Sequence, residues 1–134
     1  MAELQAGLTG EASYTTGPEH SAARFGADVE VYGTPLLVGL IEAAAIDALK
    51  GALPDGSTTV GTGMTFQHTA ATPIGAAVRA RAELMQVDGR RLVFRVEAFD
   101  PWEQIGVADH ERFIVDKARF LARVEDKKAK PPGG

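Results

Sequence analysis

Apolar positions along the chain fall into one long run and several alternating ones. The long run lies within residues 34–50; from Leu36 to Leu49 only Gly39, Glu42 and Asp47 interrupt Leu, Ile, Val and Ala. Its flanks carry helix signals. Thr34 is placed as the N-cap, because its hydroxyl can accept from an orphan N–H of the first turn. Pro35 follows at a position that needs no N–H, and Gly51 and Pro54 stop the element. A helix that is apolar almost all round is buried, so the pattern predicts a central helix inside the fold. Beyond it the period changes to two. Met64, Phe66, His68 and Ala70 share one face of a strand over 58–72. Val78, Ala80, Ala82 and Leu84 face inward from 76–87, and Leu92, Phe94, Val96 and Ala98 from 91–99, with Asp88-Gly89 as the hairpin turn. A strand over 103–115 and an amphipathic helix over 117–128, striped by Phe120, Leu121 and Val124, precede a tail over 129–134 expected to be mobile. Before the central helix, residues 8–16 read as a strand closed by Gly17-Pro18. Residues 19–33 read as a long connection with a short helical turn, anchored by Phe25, Val29, Val31 and Tyr32.

One face of an antiparallel sheet must be covered, and only the central helix is apolar enough to do it. The predicted fold is therefore α+β: a hotdog arrangement, with a curved antiparallel sheet wrapped around a central buried helix, as a single domain over 1–134. Such a sheet has long free edges, so pairing with a second copy is expected and the protein reads as a homodimer.

Composition removes several function classes. At 45% apolar residues the chain is not a disordered one. It has no cysteine, hence no disulfide, thiolate metal site or thiol nucleophile. A net charge of −4 argues against a general nucleic-acid binder. The apolar run is too short to span a bilayer, and residues 1–7 lack the basic start and apolar core of a secretion signal. No membrane association and a cytoplasmic location are expected.

Three polar groups stand in apolar settings. Glu42 has Val38, Gly39, Ala45 and Ile46 as helical neighbours, none of them a cation. An unpaired buried carboxylate costs several kcal/mol or raises its pKa. Either an arginine from elsewhere meets Glu42, or it lies at an edge the pattern does not show, or the carboxylate is held for chemistry. His68, beside Met64 and Phe66, is a satisfied core histidine or a proton carrier. Thr34 is a cap or a substrate contact. His20 and His110 read as structural. No His/Asp/Glu cluster has metal-ligand spacing, so no metal is expected. Gly61-Thr62-Gly63 lacks the spacing and following helix of a dinucleotide fingerprint.

The stretch T-P-L-L-V-G-L-I-E-A over 34–43, the segment Val60-Gly61-Thr62-Gly63 and the run His68-Thr69-Ala70-Ala71-Thr72-Pro73 together resemble the fluoroacetyl-CoA thioesterase branch of the hotdog thioesterases. Val87-Asp88-Gly89-Arg90-Arg91-Leu92, Ile105-Gly106 and His110-Glu111-Arg112 extend the similarity, which covers roughly residues 28–125. The resemblance implies hydrolysis of a small acyl-CoA thioester, with Thr34, Glu42 and His68 as the catalytic set and Gly61 as a backbone contact near the acyl group. It implies no cofactor beyond the CoA of the substrate. Before Thr34 the chain departs from the phenylalanine-rich lid of the fluoroacetate-specific member: Phe25 is kept, but Asp28 and Tyr32-Gly33 stand at apolar lid positions. The acyl group is therefore left open. Arg79, Arg81, Arg90, Arg91, Lys117 and Arg119 could meet CoA phosphates, although each also reads as a solvated face or loop.

Eight residues of helix separate Thr34 from Glu42 by about 12 Å. The expectation is a site that uses Thr34 of one subunit and Glu42 of its partner, two sites per dimer. The helix N-terminus would stabilise a developing oxyanion. Glu42 would activate water or attack directly, and His68 would carry a proton or activate Thr34. Two other functions fit less of the pattern. One is a non-catalytic acyl-CoA or small-acid binding module. The other is a hotdog enoyl-thioester hydratase, which resembles an Asp-plus-His pair before the helix that this chain lacks.

Overall fold

The computed structural model describes residues 3–133; Met1, Ala2 and Gly134, the last a part of the expected mobile tail, lie outside the described residues. The elements are β1 (Thr9–Thr15), two short 3-10 turns (Pro18–His20 and Ala22–Phe25), α1 (Thr34–Ala48), β2 (Ser57–His68), β3 (Ala77–Asp88), β4 (Arg91–Phe99), β5 (Gln104–Asp116) and α2 (Lys117–Lys128). The strands form one antiparallel sheet of five in the order β1-β3-β4-β5-β2. The chain thus starts at one edge, crosses the sheet face through α1 and resumes at the other edge. The sheet wraps the helix in the hotdog arrangement expected from the pattern.

The inward residues of β3 and β4 are the ones the alternation marks, and all eight are buried. From α1 they meet Leu37, Leu40, Ile41, Ala44, Ala45 and Ala48. The helix comes closest at β1. A Cβ on Gly10 would lie 2.2 Å from the Ala48 amide nitrogen and 2.6 Å from the Ala44 carbonyl oxygen. Both are backbone atoms, so only glycine lets the two elements touch. Asp47, a polar break in the apolar run, accepts from the Glu11 N–H at 2.9 Å and so caps a free edge group of β1.

Four expectations need correction. The N-cap is Gly33, not Thr34; Thr34 is the first helical residue and makes no capping bond. An extended Gly33 before the helix and Pro35 in its first turn suffice to start it, which frees the Thr34 hydroxyl. The helix is not buried all round, because Thr34, Pro35, Gly39, Ala43 and Ile46 form an open face of the single chain. Strand β2 ends at His68 rather than residue 72, because the chain then leaves the sheet: Thr72 carbonyl accepts from Tyr32 N–H at 2.9 Å, and Val31 bridges Pro73. The stripe on α2 is covered only in part, with Leu121 and Val124 half exposed.

That departing loop is fastened on two sides. Thr72, fully buried, donates its hydroxyl to Asp100 at 2.8 Å. Asp100 also accepts from the N–H groups of Trp102 and Glu103, both at 2.9 Å. Partial burial pushes the Asp100 carboxyl up, but the three hydrogen bonds outweigh it and hold it below the ordinary aspartate value. On the other side, Tyr32 is buried and shares a short hydroxyl–hydroxyl bond with Tyr14, on which the His20 ring stacks at 4.7 Å. His20 Nδ1 accepts from Gly17 N–H at 2.8 Å, which is the structural role expected of it.

Two outcomes follow. Gly10→Ala should destabilise the protein by about 1–3 kcal/mol or more, since no side-chain motion relieves a backbone clash; urea unfolding measures it. Asp100 has a lower pKa folded than unfolded, so its contribution is full above the ordinary aspartate range and lost as pH falls through the lowered value. Asp100→Asn should lower the melting temperature at pH 7, and the gap to wild type should narrow as the pH falls below the ordinary aspartate range.

Candidate active site

The first turn of α1 and the last residue of β2 meet. Thr34 Oγ1 and His68 Nδ1 share a hydrogen bond of 2.9 Å, whose direction follows the ring tautomer. His68 Nε2 is buried and has no partner among the described residues. Burial pushes the imidazolium pKa down, so the ring is neutral at pH 7. The pair lines a pocket of about 380 Å³ with Ala22, Val31, Tyr32, Thr69, Ala70 and Ala71. The helix offers its positive dipole end and one first-turn N–H without a partner among the described residues, that of Thr34, at the same place; Pro35 has no N–H, and Leu36 and Leu37 donate to the Gly33 carbonyl at 3.0 and 3.2 Å.

Two turns further along α1, Glu42 reaches the opposite end of β2. Its Oε2 accepts from Arg112 Nη1 at 3.2 Å. Arg112 is buried on the inner face of β5 and spends three further N–H bonds: to Thr59 Oγ1 at 2.9 Å, to the Thr59 carbonyl at 3.1 Å and to His110 Nε2 at 3.1 Å. His110, also buried, donates from Nδ1 to the Gly63 carbonyl at 2.9 Å. Burial is the main force that lowers the His110 pKa, and Arg112 adds to it; the Gly63 bond and Glu42 act the other way without reversing it. The ring is neutral at pH 7, which its role as acceptor for Arg112 requires.

Gly61 belongs to this second cluster. A Cβ there would sit 2.8 Å from Glu42 Oε2 and 3.4 Å from Arg112 Nη1, so the missing side chain is what admits the carboxylate. A β-bulge makes this possible. Gly61 opposes Arg112 and Gly63 opposes Glu111, with Thr62 as the extra residue. The bulge switches the parity of β2. Thr59 and Gly61 face the helix before it, and Met64, Phe66 and His68 after it. A groove of about 620 Å³ runs past this end of the helix, walled by Ala43, Ile46, Asp47, Lys50, Thr58 and Thr59 among others. It is larger than the pocket at Thr34 and His68, and the two lie at different ends of the helix face.

The structure therefore brings Thr34 to His68 and Glu42 to Gly61, but does not bring these two pairs together in one chain. Glu42 finds the arginine that one reading of the sequence anticipated. Arg112 and His110 as partners of the carboxylate were missed, His110 having been given only a general structural role. The signal was present in β5: Gly106, Ala108, His110, Arg112 and Ile114 alternate on one face, and two of these inward positions are polar. Of the six basic residues considered for phosphate contact, Arg79 is paired with Glu11 at 3.8 Å and lies over the Phe99 ring, and Arg91 is paired with Glu111 at 3.0 Å. Among the described residues no group of three or more His, Asp or Glu is placed to hold a metal ion, and no helix is long and apolar enough to cross a membrane.

Comparison with known proteins places the chain in a family. The fluoroacetyl-CoA-specific thioesterase (FlK) family matches residues 17–118. A fluoroacetyl-CoA thioesterase of Streptantibioticus cattleyicolor is 43% identical over 98 residues, 73% of this chain and 70% of that protein. A solved structure of the fluoroacetyl-CoA thioesterase FlK superposes with a TM-score of 0.87 at 33% identity, covering 97% of this chain and 100% of that one. A thioesterase superfamily member from Thermus thermophilus superposes with a TM-score of 0.87 at 27% identity, over 96% of each chain. With the family model matched over most of this chain, the chain belongs to the fluoroacetyl-CoA-specific thioesterase family.

Proposed function

We propose that this protein hydrolyses a small acyl-CoA thioester to the free acid and CoA, at sites shared between two copies of the chain. The observation that carries the reading is the Thr34–His68 hydrogen bond at the mouth of a pocket, beside a helix N-terminus. The thioester carbonyl lies against the Thr34 N–H at the positive end of α1, which takes up the developing oxyanion. Thr34 orients the substrate, with its hydroxyl tied to His68. Glu42 comes from the partner's helix. Arg112 engages its Oε2, and Oε1 takes the proton of the attacking water. The water oxygen bonds to the carbonyl carbon, the C–S bond breaks, and the departing thiolate recovers the proton from Glu42.

Pairing supports this division. Pro35, Gly39, Ala43 and Ile46 form a continuous open face on α1 between the two half-sites, and Gly39 and Ala43 are small enough for a second helix to approach. Strand β2 is a free edge twelve residues long beside it. The reading keeps the protein cytoplasmic and cofactor-free apart from the CoA of its substrate.

Thiol release from acetyl-, fluoroacetyl-, phenylacetyl- and medium-chain acyl-CoA tests it, with no background because the chain has no cysteine. Wild type should turn over at least one ester, and Glu42→Gln and His68→Ala should each lower kcat by about 10²–10⁴-fold. Binding without turnover would instead favour a binding module, and neither would leave only the fold. The shared site has its own check. After subunit exchange, an equal mixture of the inactive Thr34→Ala and Glu42→Gln variants should regain about a quarter of wild-type activity, because each mixed dimer keeps one intact site. Sites built within one chain would regain none.

A further inference from the structure

His110 has both ring nitrogens committed, and each commitment leads to a part of the Glu42 half-site. The Gly63 carbonyl can only accept, so the bond at Nδ1 fixes the proton there. The lone pair at Nε2 then accepts one hydrogen of Arg112 Nη1, while Glu42 Oε2 takes the bond from the same nitrogen at 3.2 Å. Gly63 closes the bulge that turns Gly61 toward the carboxylate. We propose that His110 is a positioning residue for the reaction: its neutral ring orders Arg112 against Glu42 and clamps the β2 bulge, and protonation of the ring uncouples this half of the site. The proposal rests on the reading of Glu42 as the group that acts on water.

The chemistry of the surroundings supports it. A proton on Nε2 would replace the acceptor with a donor that faces another donor, and would set two cations 3.1 Å apart. The protonated ring would also compete with Arg112 for Glu42. The charged groups that face His110 are Arg112, on its own strand, and Glu42, from α1. From β2 it meets Gly61, Gly63 and Met64, and from β4 the Phe94 ring at 6.4 Å, none of which carries charge. No acidic neighbour other than Glu42 is there to hold the imidazolium, so the switch lies below the ordinary histidine range, in line with the lowered pKa of the ring.

Two substitutions separate the halves of the role. Gln at 110 places a carbonyl near Nε2 and keeps an acceptor for Arg112. Asn places an N–H near Nδ1 and keeps only the donor to Gly63. His110→Asn should lower kcat by about ten- to a hundred-fold with a much smaller change in KM, and His110→Gln should retain more of kcat than His110→Asn. Over the pH range in which circular dichroism shows an intact fold, the acid limb of log(kcat/KM) should have a slope lower by one in His110→Gln than in wild type. An unchanged slope, or a His110→Asn enzyme with wild-type kcat, would overturn the proposal. A readout that needs neither substrate nor variant is NMR of the wild-type protein. The Arg112 guanidinium nitrogen resonances should move with the titration of the His110 ring; if they ignore it, the proposal is wrong even though the variants lose activity. If no thioester is turned over at all, the functional reading fails on its own, and the NMR coupling still decides whether His110 orders Arg112.

Discussion

The Arg112 guanidinium is the group the site end of this fold is arranged around. Its side chain is 5% exposed on the inner face of the sheet, whereas that of its partner Glu42 is 40% exposed. The asymmetry decides where the energy lies. Solvent screens the pair from the Glu42 side, so its Coulombic worth is near that of a surface bridge, about 1 kcal/mol or less. Burying the guanidinium costs several kcal/mol, and four hydrogen bonds to Thr59, His110 and Glu42 answer that cost. Glu42 is thus less the reason for the arginine than its beneficiary: a carboxylate aimed by a cation that the sheet already holds rigid.

From that constraint the local sequence follows. A guanidinium on β5 that reaches the helix must pass over β2, so β2 needs a position without a side chain, which is Gly61. The neutral ring that accepts from Arg112 needs somewhere to place its own N–H, which is the Gly63 carbonyl. The bulge between these glycines moves the strand by one residue. Without it, a period of two running back from His68 would point Gly61 away from the helix and Thr62 toward the carboxylate. The same residue shift that admits Glu42 therefore lets His68 face inward at the far end of β2. Both half-sites depend on one irregularity in one strand.

Much of this was legible in the sequence because burial writes a simple period. The alternations in β3 and β4 and the apolar run of α1 give the sheet, the helix and their order, since those residues have no other way to leave water. The glycines at 61 and 63 were visible as a motif, but a bulge breaks the period by which faces are assigned, and nothing local announces which partner strand supplies the mismatch. Arg112 was invisible as the partner of Glu42 for a related reason. The two are seventy residues apart, and their meeting is set by the pairing of β2 with β5 rather than by any neighbour of either. Thr34 was misread because a threonine before a proline carries the signature of a cap. In the fold Gly33 takes the cap position, and the hydroxyl is spent on His68 instead.

The helix itself is the reason for the proposal that the two clusters act together across two chains. A regular helix holds Thr34 and Glu42 about 12 Å apart, and each is pinned by a different end of β2, one through His68 and the other through Arg112. No rotamer change closes that gap without breaking a bond the sheet enforces. An antiparallel second helix crossing the open face of α1 close to Val38 and Gly39, with the two-fold axis there, would set Thr34 of one helix level with Glu42 of the other, so a two-fold axis would achieve what one chain does not. In the proposed dimer, the apolar face that a single copy leaves exposed and the polar groups that it leaves separated are one feature of the sequence, since covering the first would assemble the second.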